Sequence, residues 1–438
     1  MVKGKRAKIK IEKLVYRGEG LGYWEGKAVF VPYTLPGEVV VFEIVQEKRR
    51  FIRGRLVSVL EASSDRISPS CSAFGRCGGC QWQHIRYEKQ IEWKHKILRE
   101  ILGRTLGLPE DRVNAPIPSY PYGYRSRARL IWDEGEVGFR SFKSHRLVPV
   151  ARCPLLVRPL EHLQSILEKK IKRLSPFSQT RGDLLLEAGD GGHSRVIFRF
   201  HTSFAKRENR SEKLREVFER ETKSAVWVEE ANGSLPVLVV GEDLLFLTPW
   251  EGTSLRLRVP PGGFFQANLN QNRRLTALVL EEIERLRPTR PLKILDLFCG
   301  MGNFSLPVAS LGHEVVGVEV AASSIEAAKE NAVSNRLGAV SFFCEKAERY
   351  IEELSKKGEI PFDVLILDPP RVGAKAIAEI LARSDNSPLL VLYISCDPMT
   401  LARDLKILAP VYEIESVKVV DMFPQTFHIE TLTVLKRK

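Results

Sequence analysis

No stretch of this chain approaches the roughly 18–20 consecutive apolar residues that a membrane-spanning helix needs. Its longest apolar run, around Leu389–Ile394, is the size of a strand. The opening residues, Met1–Lys13, are basic but lack the apolar core of a secretory signal. Internal repeats and long low-complexity tracts are missing too, so neither a solenoid nor a structureless tail is expected. The expectation is a cytoplasmic protein that does not engage a membrane. Cysteine is scarce, with seven in 438 residues. An odd count with three in one ten-residue cluster does not describe a disulfide framework, and metal binding or catalysis is the better reading.

What is present is an ordinary globular composition, 44% hydrophobic and 28% charged, long enough for two to four domains. The net charge of +13 is unevenly spread. The first 60 residues hold thirteen Lys and Arg against six Glu, an excess of seven. A concentrated basic excess suits a polyanionic partner, because neutralising phosphates releases counterions. Residues 6–60 read as short strands and glycine turns with no helical period, which fits a small β-barrel. Turns are expected at Arg17–Gly22 and Trp24–Lys27. Tyr23 and Trp24 are read as rings available to stack on RNA bases, and Phe30 as core.

Residues 63–84 look like loop and carry the cysteine cluster. Tyr87–Leu106 reads as a helix, with Ile91, Ile97, Leu98, Ile101 and Leu102 at helical spacings. Residues 120–255 mix strands, as at Arg125–Trp132, Gly138–Lys143, Leu184–Glu187 and Arg195–Phe200, with a helix near Leu160–Leu174. From Lys293 onward β and α segments alternate, with strands at 293–298, 315–320, 340–344, 362–368 and 389–395. Two β-rich stretches, 412–421 and 429–436, follow. That pattern implies a doubly wound, mainly parallel sheet. The short final connection makes the last strand antiparallel.

Four turns in this region can carry chemistry. Lys293–Ser305 (KILDLFCGMGNFS) is a buried strand, a glycine turn and a helix start, and Glu319 ends the next strand, where a carboxylate can accept both hydroxyls of a ribose. The full GxGxxG of a dinucleotide site is absent, which suits S-adenosylmethionine better than NAD. In Phe362–Gly373 (FDVLILDPPRVG), Asp368 ends a buried strand and two prolines stiffen the loop. In Leu389–Pro398 (LLVLYISCDP), Cys396 reaches the same edge ahead of a helix, whose N-terminus would help a thiolate. Asp421–Glu430 (DMFPQTFHIE) supplies Glu430, a candidate base.

In this order, FFQANLNQN (264–272), LDLFCGMGNFSLPVA (295–309), LDPPRVG (367–373), YISCDP (393–398) and DMFPQTFHIE (421–430) resemble the RNA 5-methyluridine methyltransferase family. The first 60 residues resemble its RNA-binding TRAM barrel. CSAFGRCGGCQWQH (71–84) is similar to the iron–sulfur segment of the ribosomal-RNA branch. The resemblance spans essentially the whole chain. It implies a Rossmann-like class I methyltransferase domain formed by 91–119 and 259–438. A TRAM/OB-like barrel would occupy 1–62, and a central α+β domain with the iron–sulfur cysteines 63–90 and 120–258. It further implies Cys396 as nucleophile and Glu430 as base. Gln266, Phe298, Gly300, Asn303, Glu319 and Asp368 would hold S-adenosylmethionine. Cys71, Cys77 and Cys80, with the distant Cys153, would hold a 4Fe–4S cluster, with zinc as the chemical rival. Their C-x5-C-x2-C spacing is not the CxxxCxxC of radical enzymes.

The resemblance favours 23S rRNA over tRNA as substrate, and a monomer is expected because nothing in the sequence demands more. The competing readings are a non-catalytic RNA-binding assembly factor and a cytosine-C5 methyltransferase. Cys299 and Cys344 are expected in the core. Two departures stand out. Gln425 occupies a place where many relatives have His, so it cannot relay a proton. Lys346 stands near where relatives accept the adenine amino group, which a lysine cannot do, leaving Glu345 or Glu348 as substitutes.

Overall fold

The computed structural model describes residues 4–142, 144–171, 180–201, 208–230, 235–287, 289–358 and 360–438. Met1–Lys3 and the far ends of the expected strand Gly138–Lys143 and helix Leu160–Leu174 lie outside the described residues.

The basic N-terminal segment forms six strands: β1 (Arg6–Lys10), β2 (Lys13–Leu14), β3 (Gly20–Trp24), β4 (Lys27–Val31), β5 (Val39–Glu47) and β6 (Phe51–Glu61). Their order is β1-β5-β6-β4-β3-β2. One continuous segment supplies both edges. Its first half pairs with β5, Ile11 bonds on to Glu38, and from Glu12 it pairs with β3. The sheet thereby closes on itself, which removes exposed edges. Ile9, Ile11, Val29, Val31, Val40, Phe42, Ile44 and Ile52 fill it. Two aromatic expectations reverse. On β4, Val29 and Val31 take the inward side, so strand periodicity turns Phe30 outward. There it meets the edge of Phe51 beside the Arg53 guanidinium. Trp24 packs edge-on against Phe42, with the Lys5 ammonium over its ring. The expected turn at Arg17–Gly22 is shorter, because β3 begins at Gly20.

After the cysteine segment come α1 (Tyr87–Leu106), with the bounds expected, and β7 (Val113–Ile117). The central region is a seven-stranded sheet ordered β10-β9-β8-β11-β12-β13-β14. Its strands are β8 (Arg127–Asp133), β9 (Glu136–Arg140), β10 (Leu147–Pro149), β11 (Arg181–Ala188), β12 (Ser194–Phe200), β13 (Ala225–Glu229) and β14 (Val237–Val240). Helices α2 (Arg158–Lys170) and α3 (Glu208–Glu221) cover it. A small ribbon, β15 (Phe246–Leu247) with β16 (Leu257–Arg258), leads to α4 (Leu269–Glu284).

The remaining chain alternates β17 (Lys293–Leu297), α5 (Ser305–Ser310), β18 (Glu314–Glu319), α6 (Ala322–Ser334), β19 (Val340–Cys344), α7 (Ala347–Lys356), β20 (Val364–Leu367), α8 (Lys375–Arg383), β21 (Leu390–Ser395), α9 (Pro398–Leu408), β22 (Tyr412–Val420) and β23 (Glu430–Arg437). The sheet order is β19-β18-β17-β20-β21-β23-β22-β7. Strands β17 to β21 are parallel, and β23 is antiparallel to both neighbours, as the short connection requires. Every residue of β20 and β21 is buried, as expected of a sheet covered on both faces. The strand order reverses between β17 and β20, and open α/β sheets bind ligands at such a switch point.

The eighth strand, β7, was not expected. It lies parallel to β22 although some 300 residues separate them in sequence. Helix α1 packs on α9 and buries Lys94 against Asp421 at 2.6 Å. The Tyr87 hydroxyl donates to the other Asp421 oxygen at 2.9 Å. Burial pulls the Lys94 ammonium below its usual proton affinity even against that carboxylate. Cys299 is core as expected, but Cys344 is exposed, because it ends the edge strand β19. Among the described residues no helix is long and apolar enough to cross a membrane.

Candidate active site

The carboxyl edge of the parallel strands gathers most of the residues singled out from the sequence. After β17 the backbone turns sharply. Phe298 takes a left-handed φ of 66°, and its N–H and that of Cys299 both donate to the Val318 carbonyl, at 2.9 and 3.1 Å. A non-glycine residue there is strained by about 1–3 kcal/mol, a cost that clusters at functional sites. Gly302 follows with φ 91°, and a Cβ there would lie 2.8 Å from the Leu306 side chain, so glycine is required. A Cβ on Gly300 would instead enter open space beside the loop.

Asn303 has a partner the sequence reading lacked. Its amide and that of Asn272 on α4 donate to each other, at 3.1 and 2.8 Å, pinning the loop to that helix. Glu319, half-exposed at the end of β18, caps the next turn by accepting from the Ala321 N–H. Glu345 lies beside it, its N–H bonded to the Glu319 carbonyl. Its own carboxylate accepts from the Lys346 N–H.

Asp296 was missed. It is fully buried in β17, with one carboxylate oxygen bonded to the Ser305 hydroxyl at 2.5 Å and the other without a partner. Burial raises its pKa to about 7. The available signal was a charge inside the otherwise apolar run KILDL. An unpaired buried carboxylate oxygen beneath a glycine turn suits a cationic ligand group above it.

Asp368 follows β20 at the switch point, its N–H weakly bonded to the Leu297 carbonyl. It is partly exposed, yet the surrounding protein raises its carboxyl to about 7 by desolvation. Cys396 follows β21. Burial, then the nearby Glu430 and Asp368 carboxyls, push its thiol up to about 12, while the exposed Arg371 opposes them. Glu430 opens β23 fully buried, and desolvation followed by Asp368 holds its proton affinity well above the ordinary carboxylate range. The expected help from a helix N-terminus is absent. The Asp397 carboxylate occupies the first N–H groups of α9, accepting from Met399 at 2.9 Å and Thr400 at 3.1 Å. Burial holds His428, nearby, down to about 3, so it stays neutral.

Gln266 is half-exposed on the loop before α4. The central region sets that loop. The Ser126 N–H donates to the Ala267 carbonyl at 2.7 Å. The buried Arg195, paired with Glu187 and Asp243, donates to the carbonyls of Val259 and Pro260. Gln425 is a structural hub. Its carbonyl accepts from Gln81 and Trp82, and its side chain and N–H exchange bonds with the Gln90 amide at 2.9 Å.

The four cysteines Cys71, Cys77, Cys80 and Cys153 line one cavity of about 410 Å³, with Arg125, Arg129 and Arg140 on its wall. None is in a disulfide. Gln83 accepts from the Cys71 N–H, and the Gly79 N–H points at the Cys77 sulfur. Burial raises the thiols of Cys77, Cys153 and Cys80, the last to about 12. Among the described residues no three His, Cys, Asp or Glu side chains form a group that could hold a single ion as they stand. The donor set and the cavity suit a sulfur-bound centre, while a closed ligand shell is not formed.

The tRNA (uracil-5-)-methyltransferase family profile matches residues 237–438, and the TRAM domain profile matches residues 2–57. A protein of Pseudomonas savastanoi pv. phaseolicola named 23S rRNA (uracil(1939)-C(5))-methyltransferase RlmD is 34% identical over 99% of this chain and 94% of its own length. One of the same name from Shewanella amazonensis is 34% identical over 98% and 95%. The structure of Pyrococcus abyssi tRNA (uracil-54, C5)-methyltransferase with S-adenosyl-L-homocysteine covers 98% of this chain and all of its own. It superposes with a TM-score of 0.75 at 24% identity, a likeness of fold.

Proposed function

This chain belongs to the RNA uracil-C5-methyltransferase family, and on that premise we propose that it methylates C5 of a uridine in 23S rRNA through a covalent bond between Cys396 and C6. The observation that carries the reading is the meeting of Asp368, Cys396 and Glu430 at one sheet edge, beside the glycine turn. S-adenosylmethionine, when bound, supplies an electrophilic methyl group. Phe298, Gly300, Asn303, Glu319, Asp368 and Gln266 would hold it. Asp296 adds a buried carboxylate with one free oxygen.

Uracil C5 is a weak nucleophile, which is why a thiol is needed. The Cys396 sulfur forms a bond to C6, the C5–C6 pair moves toward O4, and C5 gains the carbanion character to take the methyl. Glu430 then removes the C5 proton. The C5–H electrons restore the double bond and the C6–S bond breaks, returning the sulfur to Cys396. A raised proton affinity makes the ionised Glu430 carboxylate a strong acceptor for a carbon-bound proton, but burial favours its neutral form in the ligand-free protein, so it must lose its resting proton before this step. Before attack the thiol must lose its proton, and Asp368, with a pKa of about 7, is a nearby acceptor in partial ionisation at neutral pH. The target uridine must leave its stack, at a cost of a few kcal/mol. The basic barrel offsets that cost by binding phosphates.

We also infer that Cys71, Cys77, Cys80 and Cys153 hold a 4Fe–4S cluster. Four sulfur donors and the neighbouring guanidiniums fit a net-negative sulfur-ligated centre, which would order residues 71–84. Labelled S-adenosylmethionine, incubated with unmodified 23S rRNA and tRNA transcripts, tests the main reading. Label in 5-methyluridine of 23S rRNA, lost in Cys396→Ala, is the expected result. Label in tRNA alone would move the substrate, and label in 5-methylcytidine would overturn the base assignment.

A further inference from the structure

We propose that Tyr16 of the barrel is a positioning residue for the Cys396 turn, acting through Asp397; this rests on the reading of Cys396 as nucleophile. Asp397 directly follows Cys396, and both oxygens of its carboxylate are used. One caps α9 through the N–H groups of Met399 and Thr400. The other accepts the Tyr16 hydroxyl, from a residue 381 positions earlier in the chain. The cap alone needs only the first oxygen. The second bond fixes the rotation of the carboxylate, and with it the backbone that carries the thiol. The turn is further tied to its surroundings. The Asp397 N–H donates to the Ser395 hydroxyl at 3.3 Å, and the Thr400 hydroxyl lies within reach of both the Asp397 and Arg371 carbonyls.

Tyr16 is itself held. Its tight turn closes with Gly18 N–H to Val15 carbonyl at 2.8 Å and Val15 N–H to Glu19 carbonyl at 3.0 Å. The Trp82 indole N–H donates to the Gly18 carbonyl at 3.2 Å. Gly18 has φ 75°, and a Cβ there would lie 2.5 Å from the Trp82 ring nitrogen and 2.7 Å from Phe427. The barrel turn is thus wedged between the cysteine segment and the loop that ends in Glu430. Tyr16 packs half-buried against the core of the catalytic sheet. Its hydroxyl is spent inside the protein. Arg17, exposed beside it with its guanidinium 5.7 Å from the Tyr16 ring, is the group of this turn that faces solvent.

The test compares steady-state methyl transfer by the full-length wild type, Tyr16→Phe, Asp397→Ser, the double variant and Cys396→Ala. Thermal melts check that each folds. Misplacing a reacting group by about 1 Å can cost about 10²-fold, so Tyr16→Phe is expected to lower kcat by roughly 10–100-fold. The KM for RNA and the affinity for S-adenosylmethionine should stay within about two-fold. Ser is also a good N-cap but is too short to reach Tyr16 with a second polar atom, so Asp397→Ser removes the interaction with the helix kept, and decides the matter should Tyr16→Phe fold poorly. The double variant should be no slower than the slower single. A raised RNA KM with unchanged kcat in Tyr16→Phe would make Tyr16 an RNA contact and overturn the proposal, as would additive losses. Activity in Cys396→Ala would overturn the nucleophile reading instead. An inactive Cys396→Ala beside a fully active Tyr16→Phe would sink this inference alone.

Discussion

Cys396 and Glu430 stand opposite one another one residue beyond the last antiparallel pair of β21 and β23, Ser395 with Thr431. Strand register, not loop flexibility, therefore sets the spacing between the nucleophile and the base. Burial and then Glu430 raise the proton affinity of the Cys396 thiol, which is protonated at rest at neutral pH.

Glu430→Gln should keep the side chain's shape and remove the base. The Cys396–C6 bond can still form, but the C5 proton stays. We expect turnover to fall by about 10²–10⁴-fold, while a denaturant-resistant protein–RNA complex accumulates on gels. Failure to trap any complex, with turnover unchanged, would remove Glu430 from the reaction.

Asp296→Asn should stabilise the ligand-free protein in a pH-dependent way. The folded carboxyl titrates near 7 rather than 3.8 because it is buried. Between those values the unfolded chain has lost the proton and the folded chain has kept it. Stability of the wild type therefore falls as pH rises from about 4 to 7 and is level above that. The variant lacks this fall, so the gap in its favour should open over that window, with a ceiling on the order of 4 kcal/mol. Urea melts at pH 4.5 and 8 measure it. A gap that is the same at both would mean the carboxyl is ionised throughout.

Lys94→Met leaves Asp421 buried without its cation. Breaking one side of a buried pair costs about 3–5 kcal/mol. Replacing both, Lys94→Met with Asp421→Leu, should recover much of the loss. Chemical denaturation of the single and the double variant tests this. A mild single variant would show that water reaches Asp421.

Cys77→Ala should lose the brown colour of an iron–sulfur protein and much of its solubility, whereas Cys396→Ala keeps both and loses turnover. Anaerobic purification with metal analysis measures this. A colourless wild type with one equivalent of zinc would replace the cluster with a zinc site, and a soluble, active Cys77→Ala would remove any structural need for it.

Much of the catalytic sheet was legible because its signals are local. β20 and β21 are short unbroken apolar runs, and the glycine turn, Asp368 and Cys396 each follow such a run directly. Helix α1 announced itself by period. What was hidden depends on partners remote in sequence. β7 has no pattern of its own and becomes a strand only beside β22. Gln425 looked like a failed proton relay, yet it joins the cysteine segment, α1 and the C-terminal loop. Tyr16 gave no sign of meeting Asp397. Trp24 and Phe30 were misassigned because ring type was weighed above strand alternation, and Cys344 because hydrophobicity was weighed above its place at a sheet edge.

The pairing of α1 and β7 with the end of the chain has a consequence for synthesis on the ribosome. Lys94 leaves the exit tunnel 327 residues before Asp421. At ordinary elongation speeds that is a wait of roughly 15–65 s. The barrel can close meanwhile, since its strands pair only among themselves. Helix α1 cannot bury its lysine until β22 and the loop after it arrive. A nascent chain stalled before residue 412 would present an open sheet edge and an uncompensated cation where the finished enzyme has its interior, a surface suited to chaperone capture.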